Sequence, residues 1–139
     1  MIITPNPSDP EVKLLTDEFE KKGYKVKHFI AAKVKLNISH FSQLFEELNP
    51  KAALVRGFGA AATQKIFFRL DILTAIEELN IRLINSRESL EIASDKFLTS
   101  IFLQNHDIPT PKTMICEKTS DALSAFDELG KDVILKPLY

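Results

Sequence analysis

Apolar positions change their spacing repeatedly between Ile2 and Ile84, and each change predicts an element. Ile2-Ile3-Thr4 reads as a short strand. Ser8-Asp9-Pro10-Glu11 has the form of a capping box, with Ser8 accepting from the backbone three residues on and Glu11 reaching back. Val12, Leu15 and Phe19 then fall three and four apart on a helix that ends at Gly23. Tyr24 to Ile30 alternates as a half-covered strand, Val34 to Ile38 alternates more weakly, and Phe41, Leu44, Phe45 and Leu48 share one helical face. Ala52 to Val55 is a short apolar run suited to a strand covered on both faces. A helix from about Lys65 to Leu79 turns Ile66, Leu70, Leu73 and Ile76 inward, and Ile81 to Ile84 forms another strand. Strands separated by helix-length segments predict a small open parallel sheet with flanking helices.

The pattern shifts after Ile84. Asn85 and Glu88 suggest a second capping box and a short helix from Arg87 to Ala93. Ser94 or Asp95 caps the next helix, which runs to about Gln104. Pro109 and Pro111 force extended backbone on the residues before them. Lys112 to Cys116 alternates as a strand, Thr119 to Leu129 is a helix stopped by Gly130, and Val133 to Lys136 is a closing strand. We therefore expect an α/β domain over residues 1–86 and the start of a second domain over residues 87–139.

Charge narrows the functions available. The 139 residues carry 18 basic and 19 acidic side chains, for a net charge of −1, and the two signs are intermixed. That balance provides no basic stripe for a nucleic-acid backbone. The apolar runs are too short to span a bilayer as a helix, and Met1-Ile2-Ile3-Thr4-Pro5 has no signal-peptide character. A single cysteine, Cys116, cannot form an internal disulfide and fits a reducing cytoplasm.

Three cationic positions carry the candidate chemistry. Lys136 ends an apolar strand and is closed off by Pro137, although an ordinary strand-end lysine would also snorkel to solvent. Lys96 opens a helix, where the dipole disfavours a cation unless Asp95 or an anionic ligand compensates. Arg56 follows the Ala52–Val55 strand and precedes Gly57-Phe58-Gly59-Ala60-Ala61-Ala62. Ligands of open parallel sheets sit beyond the carboxyl ends of strands, so Arg56 is placed to clamp a carboxylate while Gly57 and Gly59 permit close approach. It reads equally as a surface arginine beside a flexible loop. Gly57-Phe58-Gly59 lacks the third glycine of a dinucleotide fingerprint. His28, His40 and His106 have no metal-ligand spacing, and Cys116 reads as a buried inert thiol.

Taken in order, these segments resemble the N-terminal part of an ATP-grasp carboxylate–amine ligase of the RimK-like branch, leaning toward the tetrahydromethanopterin α-L-glutamate ligases. The carrying stretches are Arg69-Leu70-Asp71-Ile72-Leu73, Leu83-Ile84-Asn85-Ser86 and Ile92-Ala93-Ser94-Asp95-Lys96-Phe97-Leu98-Thr99-Ser100. They continue with Ile108-Pro109-Thr110-Pro111-Lys112-Thr113 and Val133-Ile134-Leu135-Lys136-Pro137-Leu138. The resemblance implies a pre-ATP-grasp domain followed by an incomplete first part of an ATP-grasp domain. It implies that Lys96 and Lys136 contact ATP, and that Arg56, Gly57 and Gly59 line the substrate crevice. The family uses ATP and magnesium, phosphorylates a carboxylate, and lets an amine attack the acylphosphate.

The resemblance further implies two partners, a small-molecule or peptide carboxylate acceptor and an amino acid such as glutamate. Magnesium ligands are expected past Tyr139, so the 139-residue chain is expected to lack ligase turnover. Two alternatives stand beside this reading: a non-catalytic α/β binding or oligomerisation module of the same ancestry, and a lone flavodoxin-like domain. An unfinished second unit would also favour dimerisation or strand exchange through residues 110–139.

Overall fold

A computed structural model of the chain describes residues 1–59 and 61–137; Ala60 of the small-residue loop, and Leu138 and Tyr139 of the closing segment, lie outside the described residues. The backbone divides into two compact units, Met1–Glu88 and Ser89–Tyr139.

The first unit is built on four parallel strands, β1 (Ile2–Ile3), β2 (His28–Phe29), β3 (Ala52–Val55) and β4 (Arg82–Ile84), in the order β2-β1-β3-β4. Helices α1 (Pro10–Lys21), α2 (Phe41–Leu48) and α3 (Thr63–Glu78) connect them in turn. Adjacent strand residues point to opposite faces, and the register aligns His28, Ile2, Leu54 and Ile84 on one face. Thr16 Oγ1 lies 3.0 Å from His28 Nε2, which places α1 on that face. The other face carries Phe29, Ile3, Val55, Ala53 and Leu83, all buried. Phe45 of α2 packs on Phe29 there, with ring centroids 5.5 Å apart. Right-handed crossovers require α2 and α3 to share a face, because both connections step in the same direction along the sheet. The completely buried Leu73 and Ile76 of α3 fit that arrangement.

Several expected strands and caps differ from the structure. Tyr24 to Ile30 contributes only His28 and Phe29 to the sheet, because its neighbour β1 offers a two-residue ladder. Residues 34–38 are not a strand: 3-10 turns at Ala31–Lys33 and Ile38–His40 take up the chain, and Asn37 Oδ1 accepts from the Ser39 amide at 3.1 Å. Ala52 and Leu54 are half-buried, so β3 is covered fully on one face alone. The Ser8 capping box does not form. Asp9 occupies the N-cap without a side-chain cap bond, and the Asn6 side chain organises the turn by accepting from the Ser8 amide at 3.0 Å.

The second unit contains α5 (Lys96–Asn105) and α6 (Thr119–Glu128), and α4 (Arg87–Ser94) runs across the division between the units. Asp95 caps α5 as expected, its Oδ1 accepting from the Phe97 and Leu98 amides at 2.8 and 3.0 Å. Neither Lys112–Cys116 nor Val133–Lys136 is a strand in the structure. Ile134 and Leu135 are 82% and 91% exposed, so the supposed buried closing strand is an irregular exposed segment. Alternation specifies which side chains face together, but a strand also needs a neighbouring ladder to satisfy its backbone. Cys116 is half-buried rather than buried.

The stability of the first unit should depend on the α3 stripe. Leu73→Ala empties a fully enclosed site and should cost about 2–5 kcal/mol in urea denaturation. Leu14→Ala, on the exposed side of α1, should change it by less than about 0.5 kcal/mol.

Candidate functional site

The connection leaving β1 steps to β2, whereas the connection leaving β3 steps the opposite way to β4. The chain therefore diverges between β1 and β3, and the region beyond their carboxyl ends is the crevice position at which open parallel sheets bind ligands. Two loops border it: Thr4-Pro5-Asn6 after β1 and Arg56-Gly57-Phe58-Gly59 after β3. The Arg56 amide donates to Ile3 O at 2.8 Å, extending the β1–β3 ladder one step past β3 and anchoring the arginine at the crevice. Its guanidinium pairs with the carboxylate of Glu11 in the first turn of α1. The expected capping partner of Ser8 is thus engaged with Arg56 instead. An acid near a helix N-terminus is favoured by the dipole in either arrangement, and the arginine adds a direct charge partner.

The glycine loop is held from two sides. Gly57 and Gly59 have φ of 146° and 75°, and a Cβ on Gly59 would lie 2.9 Å from Pro5 Cβ. From below, Arg69 Nη1 donates to Phe58 O at 2.6 Å and to Gly59 O at 3.1 Å. Arg69 is only 7% exposed, and both of these acceptors are neutral carbonyls. Sequence reasoning gave Arg69 no role, although a signal existed. It lies three residues after Ile66 and four before Leu73, a charge on the inward stripe of α3.

Arg56, Gly57 and Gly59 are therefore brought together, with Glu11, Arg69 and Pro5 completing the surroundings. Lys96 and Lys136 belong to the second unit. Lys96 is the exposed first residue of α5, where Asp95 already takes up two of the free amides at the helix start. Lys136 lies on the exposed irregular segment before Pro137. Among the described residues, no three His, Cys, Asp or Glu side chains are grouped to hold a metal ion, and no helix is long and apolar enough to cross a membrane. A separate cavity of about 630 Å³ lies toward the amino ends of the strands, against Phe19, Tyr24, Leu48 and Leu54; none of the expected site residues lines it.

Two substitutions should expose how the loop is held. Gly59→Ala should lose about 1–2 kcal/mol for its left-handed backbone, plus the cost of the Pro5 clash. Adding Pro5→Gly should recover the clash portion alone in thermal denaturation. Arg69→Met removes the donor to both carbonyls, and hydrogen exchange in residues 57–59 should accelerate while β3 stays protected.

No family model matches the chain. Individual relatives do. The chain is 39% identical over 92 residues to the tetrahydromethanopterin:alpha-L-glutamate ligase of Methanococcus maripaludis, covering 66% of this chain and 30% of that protein. It is 31% identical over 102 residues to the protein of the same name from Methanocaldococcus jannaschii, covering 73% and 32%. It is also 28% identical over 135 residues to the alpha-aminoadipate–LysW ligase LysX of Saccharolobus solfataricus, covering 92% and 43%. The matched region spans less than half of each of these relatives, in their N-terminal part. The chain is therefore a homologue of the N-terminal part of RimK-like ATP-grasp ligases.

Proposed function

We propose that this chain provides the substrate crevice and the leading ATP contacts of an ATP-dependent ligase that joins glutamate to a carboxylate acceptor. The observation that carries the reading is the 39% identity over 92 residues to a protein named for glutamate ligation. The placement of Arg56 at the divergence of β1 and β3 supports it, since an accessible guanidinium there suits a carboxylate ligand. Relatives named for a pterin acceptor and for LysW differ in the acceptor their names give, so the acceptor is proposed by class alone, a small molecule or peptide bearing a carboxylate.

The reaction implied has two steps. An acceptor carboxylate oxygen attacks the γ-phosphorus of ATP, and ADP leaves with the bridging oxygen. The amino nitrogen of glutamate then attacks the acyl carbon, phosphate departs, and the nitrogen loses a proton to leave an amide. Such chemistry asks the protein for alignment and for cations near developing negative charge. In this reading Arg56 orients a carboxylate, with Gly57 and Gly59 letting the ligand approach the backbone. Lys96 faces the phosphates, and Lys136 lies near the adenine and α-phosphate. Because Asp95 already engages the Phe97 and Leu98 amides, the contribution of the α5 start is assigned to the Lys96 ammonium. Magnesium would neutralise the triphosphate when bound; no residue of this chain is assigned to it.

Fluorescence of trinitrophenyl-ATP tests the nucleotide half of the proposal. Lys96→Ala and Lys136→Ala should each weaken binding by about tenfold, the scale of a hydrogen bond to a charged group. Unchanged affinity in both variants would remove these lysines from the nucleotide site.

A further inference from the structure

The crevice contains a paired charge of each sign rather than a lone cation. Arg56 follows β3 and Glu11 sits in the first turn of α1, so their ion pair bridges the elements on either side of the strand divergence. Neither side chain is sequestered: that of Arg56 is 41% exposed and that of Glu11 72%. An exposed pair of this kind adds little stability, so opening it to admit a ligand costs little.

A guanidinium beside a carboxylate is the complement of an α-amino acid, which carries a carboxylate beside an ammonium. We propose that Arg56 and Glu11 together form a receptor for the amino-acid zwitterion, with Arg56 taking the α-carboxylate and Glu11 the α-ammonium. The ligand exchanges one internal ion pair for two crossed ones, so no protein charge loses its partner. A simple dicarboxylate fits less well. It competes with Glu11 for the guanidinium and leaves two carboxylates facing each other. Glu11 thereby becomes a specificity determinant that distinguishes the amino acid from an acid of similar length. Arg69 supports the arrangement by fixing the Phe58 and Gly59 carbonyls, so that the residues following Arg56 keep their course. The inference rests on the reading of this crevice as the ligase's substrate site.

The test is an amide-shift NMR titration of the 139-residue chain with L-glutamate, N-acetyl-L-glutamate and glutarate at fixed ionic strength and neutral pH. In the wild-type protein, glutamate should perturb Arg56 and Gly57 and bind more tightly than the other two. Glu11→Gln should weaken glutamate by about fivefold, within the range of an exposed ion pair, while leaving glutarate unchanged or strengthened. Arg56→Gln should weaken all three. Equal effects of Glu11→Gln on glutamate and glutarate would overturn the zwitterion receptor and leave the crevice reading intact. So would wild-type binding that ignores acetylation, a result that needs no variant to fold. Unaltered binding of every ligand in Arg56→Gln, or no perturbation at Arg56, would overturn both.

Discussion

The two-residue pairing between β1 and β3 is the contact on which the candidate site depends. Ile2 aligns with Leu54 and Ile3 with Val55, and the Arg56 amide continues the ladder to Ile3 O. That register brings Pro5 against Gly59 and sets the start of α1 beside Arg56. A one-residue slip would reverse the side-chain faces of the slipped strand and withdraw Arg56 from Glu11. The pairing is short, so it relies on burial for its definition. Ile2, Ile3, Ala53 and Val55 are buried, and Val12, Phe45 and Leu73 lie among the buried helix side chains around the sheet.

Helical stripes were the most legible part of the sequence. Val12, Phe45, Leu70, Leu73 and Ile76 were all placed correctly on inward faces, because helix hydrogen bonds are internal and apolar spacing alone orients the element. Strand extents were less legible. The segments at 24–30, 34–38, 112–116 and 133–136 all alternate, yet only His28 and Phe29 among them join the sheet. Whether an alternating segment becomes a strand depends on the neighbour it finds, which is a non-local property.

The site was legible in outline and less so in its partners. Arg56, Gly57 and Gly59 could be read from the strand-then-glycine order, because the ends of parallel strands are where such folds bind ligands. Glu11 was visible as a first-turn acid but was assigned to a local cap, and the guanidinium 45 residues away engaged it instead. Local rules favour the nearest partner, whereas a charge-assisted pair across the crevice depends on the fold. Arg69 shows the same limit. The stripe would place an aliphatic residue there, but the carbonyls of Phe58 and Gly59 supply the polar contacts that let a guanidinium be buried.

These partners also set the charge of the crevice. The Phe58 and Gly59 carbonyls solvate the Arg69 guanidinium without neutralising it, whereas Glu11 neutralises Arg56. Arg56 and Glu11 thus form a locally neutral pair, beside a buried Arg69 whose charge is met by carbonyl dipoles. Glutamate carries two carboxylates and one ammonium, for a net charge of −1 at neutral pH. In the proposed receptor, Arg56 and Glu11 match its α-substituents in sign, and the pairing stays neutral when the ligand's carboxylate and ammonium replace each group's internal partner.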